Sequence, residues 1–498
     1  MGMNDKVVFN HYYVLKHDLK RTYIITMSRQ KTPVVKIDVD KEWTTKIHPI
    51  YAMLFSLASH PIDLNDFIKE VAEFMDIDHK KAEAIVLPFL DREEPFYSEF
   101  GGVVSQFPRN VLINAEDATI PPCLYHPEDF YFQEIDLEQQ RSIVSPRTAV
   151  FMPNNNCTTD CVYCYADRSS GHKQMAFEQV GAIIRQCKDL NMASFSLTGG
   201  DIFRYPYWKE LLTAIVENGF SIGLISTKTP LSLEDVEFLK KYNVNLQFSL
   251  DTVYPVYMKK ILGMNAVYWE KVKQTFGYFE TIGLPVKVAT VLTVYNATAQ
   301  QLTDLSSFFK QFKVISLWEI RVAMKSLYSK ANFGKLKISK ETLEEIDKKI
   351  QALEKEVAFH ISWTKNDIRH YFEGKNGSKS FGGSRCSANY SNIMILPDGK
   401  VTICEQLYWN PKYIIGDLTK QTITEVWNSP KALELAFPKR DYFRAVSPCK
   451  TCKLFDECYA FQNRCIVDVL KGYGAENDDY PDPRCAMAPL FISELRPV

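Results

Sequence analysis

The sequence predicts an α/β protein: a central parallel sheet with crossover helices, preceded by a small α+β unit and followed by a cysteine-rich tail. Three observations predict it. Strand-like and helix-like stretches alternate six times between about residues 147 and 330, the pattern of β-then-α repeats. Before them, strands and helices are segregated rather than alternated. After residue 385 come seven of the chain's 12 cysteines.

The first unit, residues 1–110, starts with the strand signals "YYVL", "TYIITM" and "VVKIDV". Three helical patterns follow: "HPIYAMLFSLASH", "DLNDFIKEVAEFMDI" and "DHKKAEAIVLPFLDRE". The second has Asp63 in the N-cap position and Ile, Val, Phe and Met at helical spacing. This unit contains no cysteine and no catalytic set, so it reads as a binding or packing domain. Residues 111–145 read as a linker, with a proline loop at "IPPCLYHPED".

Residues 146–335 carry the alternation. "TAVFMP", "ASFSLTGGD", "SIGLIST", "VNLQFSLD", "PVKVATVLTVYN" and "ISLWEIRVAM" are the strands, with amphipathic helices between them. The sheet is either barrel-like or doubly wound; in both, chemistry sits at the C-terminal ends of strands. The polar motifs "TGGD", "STK", "SLD" and "TVYN" fall there. Residues 336–380 read as a bridging helix, "ISKETLEEIDKKIQALEKEV", and a flexible linker that includes "GSKSFGGS". Residues 381–498 form the tail.

Charge and apolar patterning narrow the function classes. With 59 basic and 60 acidic residues the net charge is −1, which points away from nucleic acid or an anionic membrane as the main partner. No apolar run approaches a membrane span, and the N-terminus lacks a signal peptide's basic and apolar regions. Gly2 is followed at position 6 by Lys rather than Ser or Thr, which argues against myristoylation. The expected location is the cytoplasm, where cysteines serve as metal ligands or catalytic groups rather than in disulfides.

"NNNCTTDCVYCYADR" places Cys157, Cys161 and Cys164 in eight positions, directly after the first strand of the alternation. Three thiols are one short of a structural zinc site. On a four-iron cube with one thiolate per iron, three thiolates leave one iron open, and an open position is what catalysis requires. The spacing, with Tyr163 before the last cysteine, resembles the signature of the radical SAM superfamily. That resemblance implies a partial (β/α)6 barrel of TIM type. It also implies that S-adenosylmethionine chelates the open iron and yields a 5′-deoxyadenosyl radical. Gly199, Gly200 and Asp201 match the family's glycine-glycine-acid motif, so the resemblance assigns the methionine ammonium to Asp201. It assigns Thr227, Gln247, Ser249 and Asp251 to the ribose and carboxylate. Lys259 or Lys260 stands where the family often carries an arginine for that carboxylate. "NNN" and "ADR" carry no assignment.

In the tail, Cys386 and Cys404 flank the hairpin pattern "NIMILPDGKVTI", with Gly399 five residues before Cys404; Cys449, Cys452, Cys458, Cys465 and Cys485 follow. A zinc ribbon is one reading. The order resembles a SPASM domain, with six residues rather than three between Cys458 and Cys465. The resemblance implies two auxiliary [4Fe–4S] clusters, hence three clusters in all. Cys386, Cys404 and Cys465 would hold the first, and Cys449, Cys452, Cys458 and Cys485 the second. The first set is again one thiol short, and Cys123 is the outlying candidate for the gap.

SPASM-type members mostly modify peptides and proteins. The first unit resembles a PqqD-like peptide-recognition domain with winged-helix-like folding, which binds a leader peptide by adding a strand to a sheet edge. The expected function is maturation of a ribosomally made precursor peptide, leader plus Cys-containing core, with thioether crosslinking as the leading outcome. A reductant such as flavodoxin or ferredoxin is implied. Glu405, following Cys404, stands where a related subfamily carries a general base. Carbon–carbon crosslinking, epimerisation, sulfatase-type formylglycine maturation and a non-enzymatic iron–sulfur electron-transfer or scaffold role are the alternatives.

Overall fold

The structure is a computed structural model that describes residues 5–27, 38–40, 42–90, 92–169, 172–328, 333–363, 386–460 and 463–490. The first unit runs β1 (Lys6–Phe9), β2 (Tyr13–His17), β3 (Thr22–Thr26), β4 (Thr44–Ile47), α1 (Pro49–Leu57), β5 (Ile62–Asp63), α2 (Leu64–Met75), α3 (His79–Val86), β6 (Phe96–Phe100), β7 (Val103–Phe107) and β8 (Leu112–Asn114). Helix, short strand, two helices and a hairpin follow one another from α1 to β7, the order of a winged helix. Leu64, Phe67, Ile68 and Val71 of α2 lie inward at the i, i+3, i+4, i+7 spacing of an amphipathic helix. Asp63 occupies the N-cap position, but its side chain makes no cap hydrogen bond. The β6–β7 turn is Gly101-Gly102, with φ of 56° and 78°, the left-handed pair that a tight hairpin requires.

Most of "VVKIDV" lies outside the described residues; among the described ones β4 pairs antiparallel with β3, giving the order β2-β3-β4. The presumed linker after 110 contains β8, which pairs antiparallel with β1, so the first unit's sheet extends past that boundary.

The central unit follows as β9 (Thr148–Phe151), α4 (Phe177–Asp189), β10 (Ser194–Leu197), α5 (Trp208–Glu217), β11 (Ile225–Thr227), α6 (Leu233–Lys241), β12 (Leu246–Ser249), α7 (Pro255–Leu262), α8 (Ala266–Ile282), β13 (Val286–Leu292), α9 (Ala299–Phe309), β14 (Ile315–Val322), α10 (Lys340–Glu354) and β15 (His360–Trp363). All six expected strands form, and neighbours within each sheet pair in parallel. β15 is a seventh, parallel to β14. The helix expected to bridge to the tail, α10, is therefore a crossover, burying Ile346, Ile350 and Leu353. β10 pairs with β9 but shares no ladder with β11, so the barrel is partial and open at that seam.

The tail begins with β16 (Asn392–Ile395), β17 (Lys400–Thr402) and β18 (Ile414–Asp417). β16 lies parallel to β9 on the side away from β10, giving the order β10-β9-β16-β17-β18. The tail thus extends the central sheet directly. "GSKSFGGS" lies outside the described residues. No helix among the described residues is long and apolar enough to cross a membrane.

Residues 139–145 strap the three units together. Asp18 and Arg21 form a fully buried ion pair of 2.9 Å. Asp18 also accepts the amides of Ile143 (2.7 Å) and Val144 (2.8 Å), and Arg21 donates to the carbonyl of Arg141 (3.2 Å). Arg141 donates to the carbonyls of Asn389 (2.9 Å) and Trp427 (2.6 Å) and lies 4.0 Å over the Trp427 ring. Lys16, buried beside the same strap, donates to Ser145 Oγ (2.6 Å) and to the Leu190 carbonyl at the end of α4 (2.7 Å).

Burial pulls the Lys16 ammonium down to about 8, against the attraction of Asp18. The unfolded chain holds that proton up to about pH 10.4. Between these values the unfolded state binds more protons, so this group adds stability as pH rises. Denaturant titrations of wild type and Lys16→Met should therefore diverge by about 2 kcal/mol in favour of wild type from pH 8 to pH 10. A difference that stays flat would count against a buried, titrating amine.

Candidate functional site

Cys157, Cys161 and Cys164 sit on the loop that leaves β9, and that loop is locked to the next strand's loop through backbone. Gly200 N–H donates to the Asn154 carbonyl (3.0 Å) and Asp201 N–H to the Asn156 carbonyl (2.7 Å). The Asn154 amide group returns a bond to the Asp201 carbonyl (3.1 Å), and Asn154 Oδ1 accepts the Asn156 N–H (2.7 Å). Asn154 and Asn156 are therefore the docking edge of the cysteine loop, while the Asn155 amide donates within the loop to the Ser169 carbonyl (2.6 Å). Both glycines are demanded by this contact. Gly199 has φ 123°, and a Cβ there would run into Met152. A Cβ on Gly200 would run into the Asn156 carbonyl. On the other side, α7 ends against the loop: the carbonyls of Leu262 and Ile261 accept the amides of Asp160 (2.8 Å) and Val162 (2.9 Å). Arg168, from "ADR", closes the loop by donating to the Thr159 carbonyl (2.6 Å) and pairing with Asp160 (3.0 Å).

Asp201 is buried and turned inward. Its Oδ2 accepts from Thr227 Oγ1 (2.7 Å), Lys228 N (3.1 Å), Thr229 N (3.1 Å) and Thr229 Oγ1 (2.8 Å), and Oδ1 accepts from Phe203 N (3.1 Å). A carboxylate with five such donors is a structural hub that ties the loops after β10 and β11 together. Thr227 is one of those donors, on the last residue of β11. Asp251 is fully buried, accepting from Tyr163 OH (2.6 Å), Lys228 Nζ (2.9 Å) and Val291 N (2.9 Å). Gln247 donates to Ser226 Oγ (3.0 Å), which lies 3.3 Å from Ser249 Oγ, making a polar shelf on β11 and β12. Lys260 lies over the rings of Tyr257 (5.6 Å) and Tyr295 (5.9 Å). The cation at the heart of the site is instead Lys228, 6.0 Å from the Tyr163 ring and close enough to ease ionisation of Cys161. Its signal was the "STK" motif, whose lysine sequence reasoning passed over.

The ten motif cysteines gather into three groups. Cys157 feels the charges of Cys164 and Cys161. Cys386 bears on both Cys404 and Cys465. Cys449, Cys452, Cys458 and Cys485 bear on one another and line one small pocket with Arg464. All are free thiols. Burial pushes Cys157, Cys404 and Cys458 up to about 12, so each holds its proton at neutral pH until a metal displaces it. Backbone amides already point at several sulfurs: Ala166 N to Cys164 (3.4 Å), Met487 N to Cys485 (3.4 Å), Ala388 to Cys386 and Gln406 to Cys404. Such N–H groups favour thiolate. Among the described residues no three His, Cys, Asp or Glu side chains converge on a single-ion site. Cys187 is buried in α4, and Cys123 packs against the first unit's core with its amide on His11 Nδ1 (3.2 Å).

A family model of the radical SAM superfamily matches residues 151–308, and one of the SPASM iron–sulfur cluster-binding domain matches residues 386–453. Residues 151–308 thus carry a radical SAM domain, and residues 386–453 a SPASM domain. Its fold is that of SuiB from Streptococcus suis. The structure of SuiB bound to S-adenosylmethionine has 16% identity, TM-score 0.61, and covers 97% of this chain and 100% of that one. The structure of SuiB bound to its precursor peptide SuiA has 17% identity and the same TM-score and coverage. Among curated proteins, the antilisterial bacteriocin subtilosin biosynthesis protein AlbA of Bacillus subtilis is 20% identical over 290 residues. That match spans 57% of this chain and 60% of AlbA.

The cofactors of the radical SAM and SPASM domains are [4Fe–4S] and S-adenosylmethionine, and the first loop fits them: three half-buried thiols, Lys228 and Arg168 as nearby cations, and two glycines holding backbone close. Each tail set also has a buried cation that sequence reasoning missed. Lys471 bears on Cys404 and Cys465, Arg484 on Cys386, and Arg464 on Cys449 and Cys458. Glu405 faces the first loop: its Oε2 accepts from Thr198 Oγ1 (3.1 Å), and its charge helps hold the Tyr165 hydroxyl up at about 12, mainly through burial.

Gly200→Ala should shift the cysteine loop and cost about four irons per chain on anaerobic reconstitution. Gly181→Ala, in α4 with only the Arg185 guanidinium 3.5 Å away, should keep full iron and gain up to about 1 kcal/mol. Full iron in both variants would refute the docking role of the glycine.

Proposed function

We propose that this chain matures a ribosomally made precursor peptide by radical chemistry and closes Cys thioether crosslinks. The observation that carries the reading is the set of three thiol groups, two of them one short of four, on a chain whose first unit follows winged-helix order. SuiB, crystallised with its precursor peptide, and AlbA, named for bacteriocin biosynthesis, support the same class. We assign three [4Fe–4S] clusters to the sets Cys157/Cys161/Cys164, Cys386/Cys404/Cys465 and Cys449/Cys452/Cys458/Cys485. The first unit takes the leader as an added strand on the β2–β3–β4 sheet. The partner supplying electrons is a flavodoxin or ferredoxin, and the setting is the cytoplasm.

When bound, S-adenosylmethionine and the clusters supply a 5′-deoxyadenosyl radical and a sink for the second electron. The protein's part is placement. Asp251, tied to Tyr163 and Lys228, fixes the loop at the barrel mouth. Gln247, Ser226 and Ser249 offer hydroxyl and amide groups there. Glu405, between that loop and Cys404, takes the proton released as the substrate bond closes.

The test is mass spectrometry of the chain incubated with a Cys-containing precursor encoded beside it, with S-adenosylmethionine and reductant. Loss of two hydrogens per event, absent when the peptide cysteine is Ser, is the expected outcome. An unchanged mass means epimerisation, and loss of two hydrogens without cysteine dependence means carbon–carbon closure; either would replace the thioether reading. Glu405→Gln should slow product at least about tenfold while leaving uncoupled methionine cleavage within about twofold. Equal slowing of both would remove the base role.

A further inference from the structure

The Cys386/Cys404/Cys465 set lacks a fourth thiol, and Cys123 is committed to the first unit. What the fold places at the gap is Asp468. Cys465 is the N-cap of the helix Ile466–Tyr473, which puts Asp468 at the third helical position. A side chain there turns back toward the N-cap. Here its carboxylate meets the Cys465 thiol, and its amide N–H points at the same sulfur. The carboxylate's charge also reaches Cys386.

The surroundings hold that carboxylate still. Arg484 Nη2 lies 3.0 Å from Asp468 Oδ2, and Arg484 is itself braced by Asp482 (2.7 Å). Asp482 in turn accepts the Cys465 amide (2.8 Å). Lys471, three residues along the helix, bears on Asp468, Cys404 and Cys465 together. Asp468 is therefore a carboxylate among three thiols, on a helix that starts at one of them, with two cations behind it.

We infer that Asp468 is the fourth protein ligand of the first auxiliary cluster, binding through one oxygen while the other stays on Arg484. The inference rests on the cluster assignment proposed above. Its chemical consequence is a guarded position rather than an open one. A carboxylate is a hard donor and binds iron–sulfur clusters less firmly than a soft thiolate. It closes the site to water and yields it to a peptide thiolate. In that exchange one Fe–O bond breaks, one Fe–S bond forms, and no electron moves.

The test reads the metal site, not turnover. Wild type, Asp468→Ala and Asp468→Cys are reconstituted anaerobically, with S-adenosylmethionine present to occupy the first cluster. Iron is counted, and spectra of the reduced protein are recorded with and without cyanide. Wild type and Asp468→Cys should carry about twelve irons; Asp468→Cys should leave the auxiliary signal unchanged by cyanide, and wild type should need at least about tenfold more cyanide than Asp468→Ala to change it. Asp468→Ala should either take cyanide at that signal or lose about four irons. Wild type taking cyanide as readily as Asp468→Ala would overturn the inference. So would loss of the cluster from Asp468→Cys as well, since that makes the residue a helix cap only. Wild type holding about eight irons overturns the cluster assignment itself; a peptide that goes unmodified leaves the result for Asp468 standing.

Discussion

Asp201 bridges the one gap in the parallel sheet. β10 and β11 are sequence neighbours without a shared ladder, so no backbone bonding sets their loops in register. The Asp201 carboxylate does it instead, taking donors from Thr227, Lys228 and Thr229 on the far side of the seam and from Phe203 on its own. Burying a charge is expensive unless every lone pair is used. Five donors meet that condition, and the cost of losing any of them makes the arrangement stiff. Because the Asp201 backbone is also bonded to Asn154 and Asn156, the same residue fixes the cysteine loop. Thr158 completes the link with a 2.6 Å contact to Thr229 Oγ1. Three strand ends that the sheet leaves loose are thereby held as one surface, and the ligand-facing groups, Lys228 above all, inherit their positions from it.

The cysteines pose the opposite electrostatic problem. Their thiols are buried, mutually repelling when ionised, and pushed toward the neutral form. The chain answers with fixed dipoles and cations rather than solvent: amides two residues on from several of the sulfurs, and Lys228, Lys471, Arg484 and Arg464 distributed so that every set has at least one. Preorganised charge of this kind lowers the work of loading a cluster and tunes the potential of what is loaded. Each is held by a polar partner: Arg464 by the Tyr480 carbonyl (2.8 Å), Arg484 by Asp482 (2.7 Å) and Lys471 by Gln406 Oε1 (3.0 Å).

Spacing along the chain was legible; partnership across it was not. The cysteine intervals, the β-then-α alternation and the paired glycines are local, and each required no knowledge of the fold. β8 and β15 were missed because three- and four-residue strands carry too little periodicity, and their pairing partners lie far away in sequence. α10 looked like a bridge for the same reason: its crossover role depends on β15. The direction of Asp201 was unreadable because a carboxylate after two glycines fits a ligand contact and an internal hub equally well. The hub shows only once Thr227 and Thr229, two dozen residues on, are placed against it. Lys228, Arg168 and Arg484 were invisible as site residues since lysine and arginine are common and their role here is set by what they face.

The strap at residues 139–145 shows how a segment that reads as a linker acquires a mechanical role. A flexible tether would leave the first unit free to sample many orientations, and a peptide held there would present its core at a low effective concentration. Here Arg21, Asp18 and Arg141 replace tethering with buried, fully bonded charge. Separating the units would expose or orphan those groups, which costs several kcal/mol for each. The far end of the strap lands on Asn389, three residues beyond Cys386 and itself locked by a bond to the Ala432 carbonyl (2.7 Å). The first unit is thus referenced directly to the loop that carries Cys386. For a peptide anchored at one end on the first unit, that rigidity makes reach to the Cys386 set a property of the peptide's own length.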